Sequence, residues 1–367
     1  MQLKSLSLIN FKNIAEARID FSESINALVG DNGAGKTNII DAIHYLSLSK
    51  SMAAMTDRQS VRHEAPFFVV DGAFTSDAGS STGVVCSFSR QQAKGVKSLK
   101  CNGKEYDRLS DHIGVIPVVV VAPQDIALVY DGAEDRRRFF NSFISQLDPL
   151  YLSALMRYNA TLAQRNTLLK QRGDDSMLQI YDQQLVQSAE VIHAKRREII
   201  EAMQPLTEEY YAALSGQRES ISLSYISQLT DASYADLLME SRAKDRAVEH
   251  TSVGIHRDEI DLRIEGYPLR KYGSQGEQKS YLIALKLAQY RIVSERRGER
   301  PILLLDDLFD KLDQGRVKQL LEVAQSDHFG QIFITDCNRT RLESILSASN
   351  TPYSLYQVEE GKIEQKQ

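Results

Sequence analysis

Cysteine is scarce in this chain, and its distribution excludes a disulfide scaffold. Cys86, Cys101 and Cys337 are odd in number, far apart and not in CxxC spacing. Neither a disulfide framework nor a zinc knuckle is therefore expected, and a reducing compartment is the natural setting. Long apolar runs are missing too. The uncharged apolar stretch Ile113 to Gln124 is too short to span a bilayer, and the opening MQLKSLSLINF lacks the apolar core of a secretory signal. Nor is there an excess of positive charge: 44 basic against 49 acidic residues leave a net charge of −5. Any contact with a polyanion must then be a local patch. The rest, 42% hydrophobic and 25% charged over 367 residues, fits a globular protein of two or three domains. A cytoplasmic, multi-domain protein with no membrane partner is expected.

The patterning divides the chain into three segments, 1–133, 134–246 and 247–367. The first is strand-rich: residues 3–9 alternate, Ile25–Val29 is a short apolar run, and Phe67–Phe74 and Val84–Phe88 read as strands. Ile116–Val121 holds four consecutive valines, which suits a strand buried on both faces. The second segment turns to helical periodicity. Tyr151, Leu155, Tyr158, Leu162 and Leu169 form one stripe, and Leu178, Tyr181, Leu185, Ile192, Ile199, Met203 and Leu206 form another. The polar turn Arg172-Gly-Asp-Asp-Ser between them predicts an antiparallel helical hairpin. The third segment returns to alternating strand and helix, with apolar runs at Ile302–Leu305 and Gln331–Thr335. The expected architecture is an α/β domain built from both ends of the chain, with a helical arm inserted.

Three stretches carry chemistry. Gly30, Asp31, Asn32, Gly33, Ala34, Gly35, Lys36 and Thr37 fit the phosphate-binding loop pattern, after a strand and before the helical face Ile39, Ile40, Ile43, Leu46. Glycines are needed because the loop's N–H groups must approach phosphate without an intervening Cβ. Lys36 is expected to reach the β- and γ-phosphates, Thr37 to hold Mg²⁺, and the helix that follows to add its positive end beside Asn38. Ile302-Leu-Leu-Leu-Asp306-Asp307 is an apolar strand ending in two carboxylates, where an open α/β sheet places ligands. Asp306 is the expected metal ligand and Asp307 the group that polarises an attacking water. Ser274-Gln-Gly276 precedes an apolar helix. That pattern suits a second anion site, and it equally suits an ordinary helix cap.

A phosphate loop, a distant Ser-x-Gly-x-Gln signature, and then an acidic strand with Leu312-Asp313 resemble an ABC-type P-loop ATPase head. More narrowly, the chain resembles the RecF family of bacterial recombination mediators. The resemblance lies in Ile9–Ile14, Gly30–Asp41, Arg136–Phe139, Gln164-Arg-Asn-Thr-Leu-Leu169, Gly254-Ile-His-Arg-Asp258, Ser274–Gln278 and Leu303–Asp313. Departures are Gln124-Asp125 after Pro123, where the family has two acidic residues, and Asp310-Lys311 before Leu312-Asp313. The resemblance implies ATP bound by the Gly30–Asn38 stretch, with Lys12 and Asn13 near the nucleotide and Asp336 at a γ-phosphate-sensing position. It also implies a homodimer in which Ser274 and Gly276 of a second copy close over the γ-phosphate. Gapped or junction DNA, RecR and RecO as partners and RecA delivery follow from the same resemblance, and DNA-dependent ATP hydrolysis is expected to be slow because Asp307 stands where most ABC ATPases place the longer Glu. The competing reading is the nucleotide-binding subunit of a membrane transporter, and a head that binds ATP without useful turnover is a third. Two basic clusters remain open. Arg90, Lys94, Lys97, Lys100 and Lys104 suit a solvated strand edge, and Arg136–Arg138 suit either phosphate or carboxylates within the arm.

Overall fold

The structure, a computed structural model, describes residues 1–91, 95–216, 219–307, 316, 319–320, 322–323, 328–347 and 352–366. Lys94 and the stretch 310–313 lie outside the described residues. The chain forms two units: Met1–Asp125 with Lys286–Gln367, and Ile126–Leu285. Strands β1 (Gln2–Phe11), β2 (Ile14–Asp20), β3 (Ile25–Val29), β4 (Phe67–Thr75), β5 (Ser81–Ser89), β6 (Val96–Cys101), β7 (Lys104–Glu105) and β8 (Val118–Val121) open the chain. The second unit holds β9 (Ile221–Ile226), β10 (Glu259–Ile264) and β11 (Tyr267–Pro268). Strands β12 (Ile302–Leu305), β13 (Ile332–Asp336), β14 (Tyr353–Glu359) and β15 (Lys362–Lys366) complete the first.

The first unit carries two sheets. One is antiparallel, in the order β2-β1-β4-β5-β6-β7. The other runs β15-β14-β3-β13-β12-β8 and is parallel except for the β14–β15 hairpin. Helix α1 (Lys36–Leu48) touches β1, β4 and β5 of one sheet and β8 and β13 of the other. It is consequently buried on nearly every side, including Ile39, Ile40, Ile43 and Leu46. Phe11, Tyr45 and Phe68 pack edge to face, with centroids 5.4–5.6 Å apart, and tie α1 to the antiparallel sheet. The valine run, at the sheet's edge, pairs in parallel with Ile302–Leu305, and both are apolar throughout because both faces of the sheet are covered there. Pro117 has no N–H for the ladder, so β8 begins at Val118, while the Pro117 carbonyl accepts from Ile302 N–H at 3.0 Å.

In the second unit, α2 (Ala133–Leu147), α3 (Pro149–Lys170), α4 (Asp175–Ser215) and α5 (Tyr234–Val248) accompany the antiparallel sheet β11-β10-β9. Helices α3 and α4 form the expected pair on either side of the Gly173 turn. Asp148 caps α3 by accepting from the N–H groups of Leu150 (2.9 Å) and Tyr151 (3.2 Å), with Pro149 in the first turn. Residues 247–285 belong to this unit rather than to the C-terminal part of the head, where the patterning placed them. Two long-range devices hold them: the β9–β10 ladder, and buried charges that anchor the loop Thr251–Asp258.

Those charges explain the RecF-like islands of the arm. Arg165 is fully buried and donates to Asp182 (2.7 Å), Asp245 (2.8 Å) and the Thr251 hydroxyl (2.8 Å). Asn166 Oδ1 accepts from both the N–H (2.8 Å) and the hydroxyl (2.7 Å) of Thr251. Arg196, also buried, donates to Asp258 (2.7 Å) and to the Ile255 carbonyl (2.8 Å). Between the two arginines, Tyr158 OH donates to His256 Nδ1 at 2.7 Å, and His256 Nε2 faces the Thr251 carbonyl at 3.1 Å. Burial, helped by Arg257 and Arg137, pushes His256 down to about 4, so the ring stays neutral.

Arg136 chelates Glu259 (2.9 and 3.2 Å), Arg137 donates to the Asp258 carbonyl (2.6 Å), and Arg138 pairs with Asp135 and Glu134. The arginine triplet thus binds carboxylates and carbonyls of its own unit. In the other basic run, Arg90 donates to the Arg58 carbonyl (2.7 Å) and Lys97 to Asp57 (2.9 Å), while Lys100 and Lys104 are exposed on the β6–β7 edge. Helix α6 (Gln275–Arg297) leads the chain back into the first unit, where a last helix, α7 (Arg339–Ser347), follows β13. Among the described residues, no helix is long and apolar enough to cross a membrane.

Candidate functional site

Strand β3 ends at Val29, and the chain turns at once through Gly30–Gly35 into α1. Three glycines of the loop, Gly30, Gly33 and Gly35, adopt positive φ of 153°, 81° and 119°. Gly35 caps α1 in the left-handed region, so the helix's first N–H groups open toward the loop. Lys36 is buried, and its ammonium donates to the carbonyls of Gly30 (2.7 Å) and Asp31 (2.9 Å). A cation fixed across a ring of N–H groups at a helix N-terminus is suited to a polyphosphate.

Strand β12 delivers Asp306 to the same place. Its carboxylate accepts from the Thr37 hydroxyl at 2.9 Å and from the Thr335 hydroxyl at 2.8 Å. Burial raises the Asp306 pKa, the two hydroxyls oppose the shift, and the neighbouring Asp307 adds to it. Asp307 follows with φ 47°, a left-handed conformation uncommon outside glycine, and its N–H donates to Thr335 Oγ1 at 2.8 Å. Thr335 was not singled out in the sequence. It sits in an apolar strand, and only the parallel register β3-β13-β12 brings its hydroxyl beside Asp306.

The other expected residues have the following partners. Asn13 braces the loop: its amide donates to the carbonyls of Gly33 (3.3 Å) and Ala34 (3.2 Å) and accepts from Asn38 (2.7 Å). Lys12 turns away to pair at 2.6 Å with Asp41, which is fully buried and also accepts from Ser51. The Asp336 carboxylate is held by Arg341 at 2.7 Å and by the Asn338 N–H at 2.8 Å. Gln124 is exposed just beyond β8, whose Val121 carbonyl accepts from Asp306 N–H at 2.9 Å. Ser274 and Gly276 belong to the second unit. There Ser274 is exposed at the start of α6, its N–H donating to Glu277 (2.6 Å) and its hydroxyl accepting in return (3.4 Å). That reciprocal pair is a capping box.

The donor set of a hydroxyl and a buried carboxylate is all oxygen. Among the described residues, no group of three or more His, Cys, Asp or Glu could hold a metal ion. Such a sparse oxygen set suits Mg²⁺, which keeps its waters and takes phosphate oxygens as further ligands.

The RecF/RecN/SMC N terminal domain family matches residues 2–364. The chain is 45% identical over 365 residues to the DNA replication and repair protein RecF of Parabacteroides distasonis, with 99% of each chain covered. It is 43% identical to that of Flavobacterium johnsoniae, covering 97% of this chain and 99% of the other. A solved structure of the recombination mediator protein RecF with ATP superposes with a TM-score of 0.89 at 27% identity, covering 100% of this chain and 98% of the other. A Smc head domain derived from Pyrococcus furiosus shares the fold, with a TM-score of 0.59 at 17% identity and coverage of 100% and 96%. These full-length matches do not favour the transporter reading. From the phosphate loop to the closing hairpin, the chain belongs to the RecF family of DNA replication and repair proteins.

Proposed function

We propose that the protein is an ATP-dependent DNA-binding protein of recombinational repair and replication, acting as an ATP-driven dimer on gapped or junction DNA in the cytoplasm. With RecR and RecO as partners, it promotes RecA loading. The observation that carries the reading is the Thr37–Asp306 hydrogen bond, which joins a phosphate loop to an acidic strand end 269 residues away. Lys36 and the N–H groups of Gly33–Thr37 bind the phosphates. Thr37 and Asp306 would hold Mg²⁺, which when bound neutralises phosphate charge. Asp307 orients the attacking water, and Thr335 sets the backbone that aims it. Asp is one methylene shorter than Glu, and a misplacement of about 1 Å can cost on the order of a hundredfold, so turnover is slow.

Ser274 is exposed, and on this reading Ser274 and Gly276 close over the γ-phosphate of a second copy. Sedimentation with ATP, ADP and gapped DNA tests the proposal. ATP alone should drive dimerisation, and Ser274→Arg should abolish it while ATP still binds the monomer. Equal dimer fractions for parent and variant would refute the composite site.

A further inference from the structure

A phosphate loop works only if its N–H groups face the anion, which requires the carbonyls of Gly33 and Ala34, just before the helix, to be held outward. Two partners from opposite ends of the chain hold them. Asn13, in the β1–β2 turn, donates to the Gly33 and Ala34 carbonyls. Gly361, in the β14–β15 turn, donates its N–H to the same Ala34 carbonyl at 2.9 Å.

The register makes the second contact unavoidable. Strand β14 runs parallel to β3 with Gln357 opposite Val29, so the next residue, Val358, falls beside Gly30. A Cβ on Gly30 would lie 2.1 Å from the Val358 carbonyl oxygen. The loop's first glycine is therefore demanded by the hairpin as well as by phosphate. Gly361 is itself buried, with φ 78°, and a Cβ there would meet the Asn13 carbonyl oxygen at 2.9 Å. Loop, first turn and last hairpin thus interlock without room for a methyl group at either glycine. Beyond this contact a cleft of about 510 Å³ opens between Asp31–Ala34 and the turn residues Glu359, Glu360 and Lys362. The hairpin turn is the chain's edge support for the loop on that side.

We infer that the β14–β15 hairpin is a positioning element for the nucleotide: Gly361 and Asn13 act together, through the Ala34 carbonyl, to hold the phosphate loop in its anion-binding form. The inference rests on the nucleotide reading given above. It makes ATP affinity sensitive to the C-terminal hairpin, which contributes no group to the phosphates.

The test measures ATP affinity of the full chain by calorimetry for Gly361→Ala, Asn13→Ala, their double variant and the far-hairpin control Glu364→Gln, with the melting temperature without nucleotide alongside. Gly361→Ala should weaken ATP binding about five- to thirtyfold, the scale of one or two hydrogen bonds. The double variant should weaken it by less than the product of the two single effects, because both release the same carbonyl. Glu364→Gln should bind as the parent does. In the parent, ATP should slow hydrogen exchange at the Glu359–Ile363 peptide, a readout that needs no variant. Parent-like affinity in Gly361→Ala, independent multiplicative effects, or exchange unchanged by ATP would each overturn the inference. Lys36→Met separates the two levels. A parent that binds no better than Lys36→Met refutes the nucleotide reading itself, whereas a parent that binds ATP with an affinity indifferent to Gly361 refutes only the hairpin's part.

Discussion

Replacing Arg165 with methionine removes a guanidinium that is fully buried and makes close contacts with Asp182, Asp245 and Thr251. Methionine refills much of the aliphatic stem, so the loss is electrostatic rather than a cavity. Asp182 keeps Arg242 at 2.9 Å. Asp245 fares worse: it is fully buried and loses the Arg165 cation, keeping the neutral donors Ser241 hydroxyl (3.3 Å, on Oδ2) and Ser252 N–H and hydroxyl (2.9 and 2.7 Å, on Oδ1). Breaking a buried pair in this way costs on the order of 3–5 kcal/mol, because one charge stays behind without its opposite charge. For a unit of this size, each kcal/mol corresponds to about 2–4 °C, so melting should fall by about 6–20 °C. The assay is calorimetry on the full chain, with ATP affinity measured below the transition. Affinity should stay at the parent level, since the phosphate loop belongs to the other unit. Adding Asp245→Leu removes the stranded charge and should recover part of the loss. A variant melting within a degree of the parent would refute the argument. So would a double variant less stable than Arg165→Met alone.

Thr335→Val keeps the side chain's shape but takes one donor from Asp306 and the acceptor from Asp307 N–H. Steady-state phosphate release should fall about 10- to 100-fold with ATP affinity nearly unchanged, and a parent-like rate would refute the role given to Thr335. Asp307→Asn should retain ATP and DNA binding yet trap the dimer, whereas hydrolysis at the parent rate would exclude Asp307 as the water-orienting group. His256 is held at about 4, below its ordinary 6.5, so the unfolded chain binds the extra proton first. Stability present above pH 6.5 is therefore lost as pH falls toward 4, by up to about 3 kcal/mol. Urea midpoints between pH 7.5 and 4 should show this slope in the parent and a shallower one in His256→Gln.

Some of this protein is legible along the chain because the determining contacts are local. Glycines spaced between the apolar run Ile25–Val29 and a helical face specify the phosphate loop, since only that spacing turns a strand into a helix N-terminus around an anion. The apolar run Ile302–Leu305 specifies a doubly covered strand, and Asp306 follows as its polar end. The stripes on either side of Gly173 specify the paired helices of the arm. The arm's RecF-like islands were visible as strings of residues, but their work was not. Gln164-Arg-Asn and Gly254–Asp258 are far apart in sequence, and only folding buries Arg165 and Arg196 against partners 17 to 86 residues away.

Composition drew the arm's boundary at residue 246, whereas the β9–β10 ladder and those ion pairs carry the unit on to Leu285. By itself, then, the sequence determined the loop and the acidic strand, because each is written within a dozen consecutive residues, and the family, because each of its scattered islands is as short. Tertiary structure alone decided that Thr335 aligns Asp306 and Asp307, that Lys12 serves Asp41, and that Gly361 supports Ala34. Those contacts depend on which strands lie side by side and in what register, and that is settled by burying apolar faces across the whole unit rather than by any stretch of it.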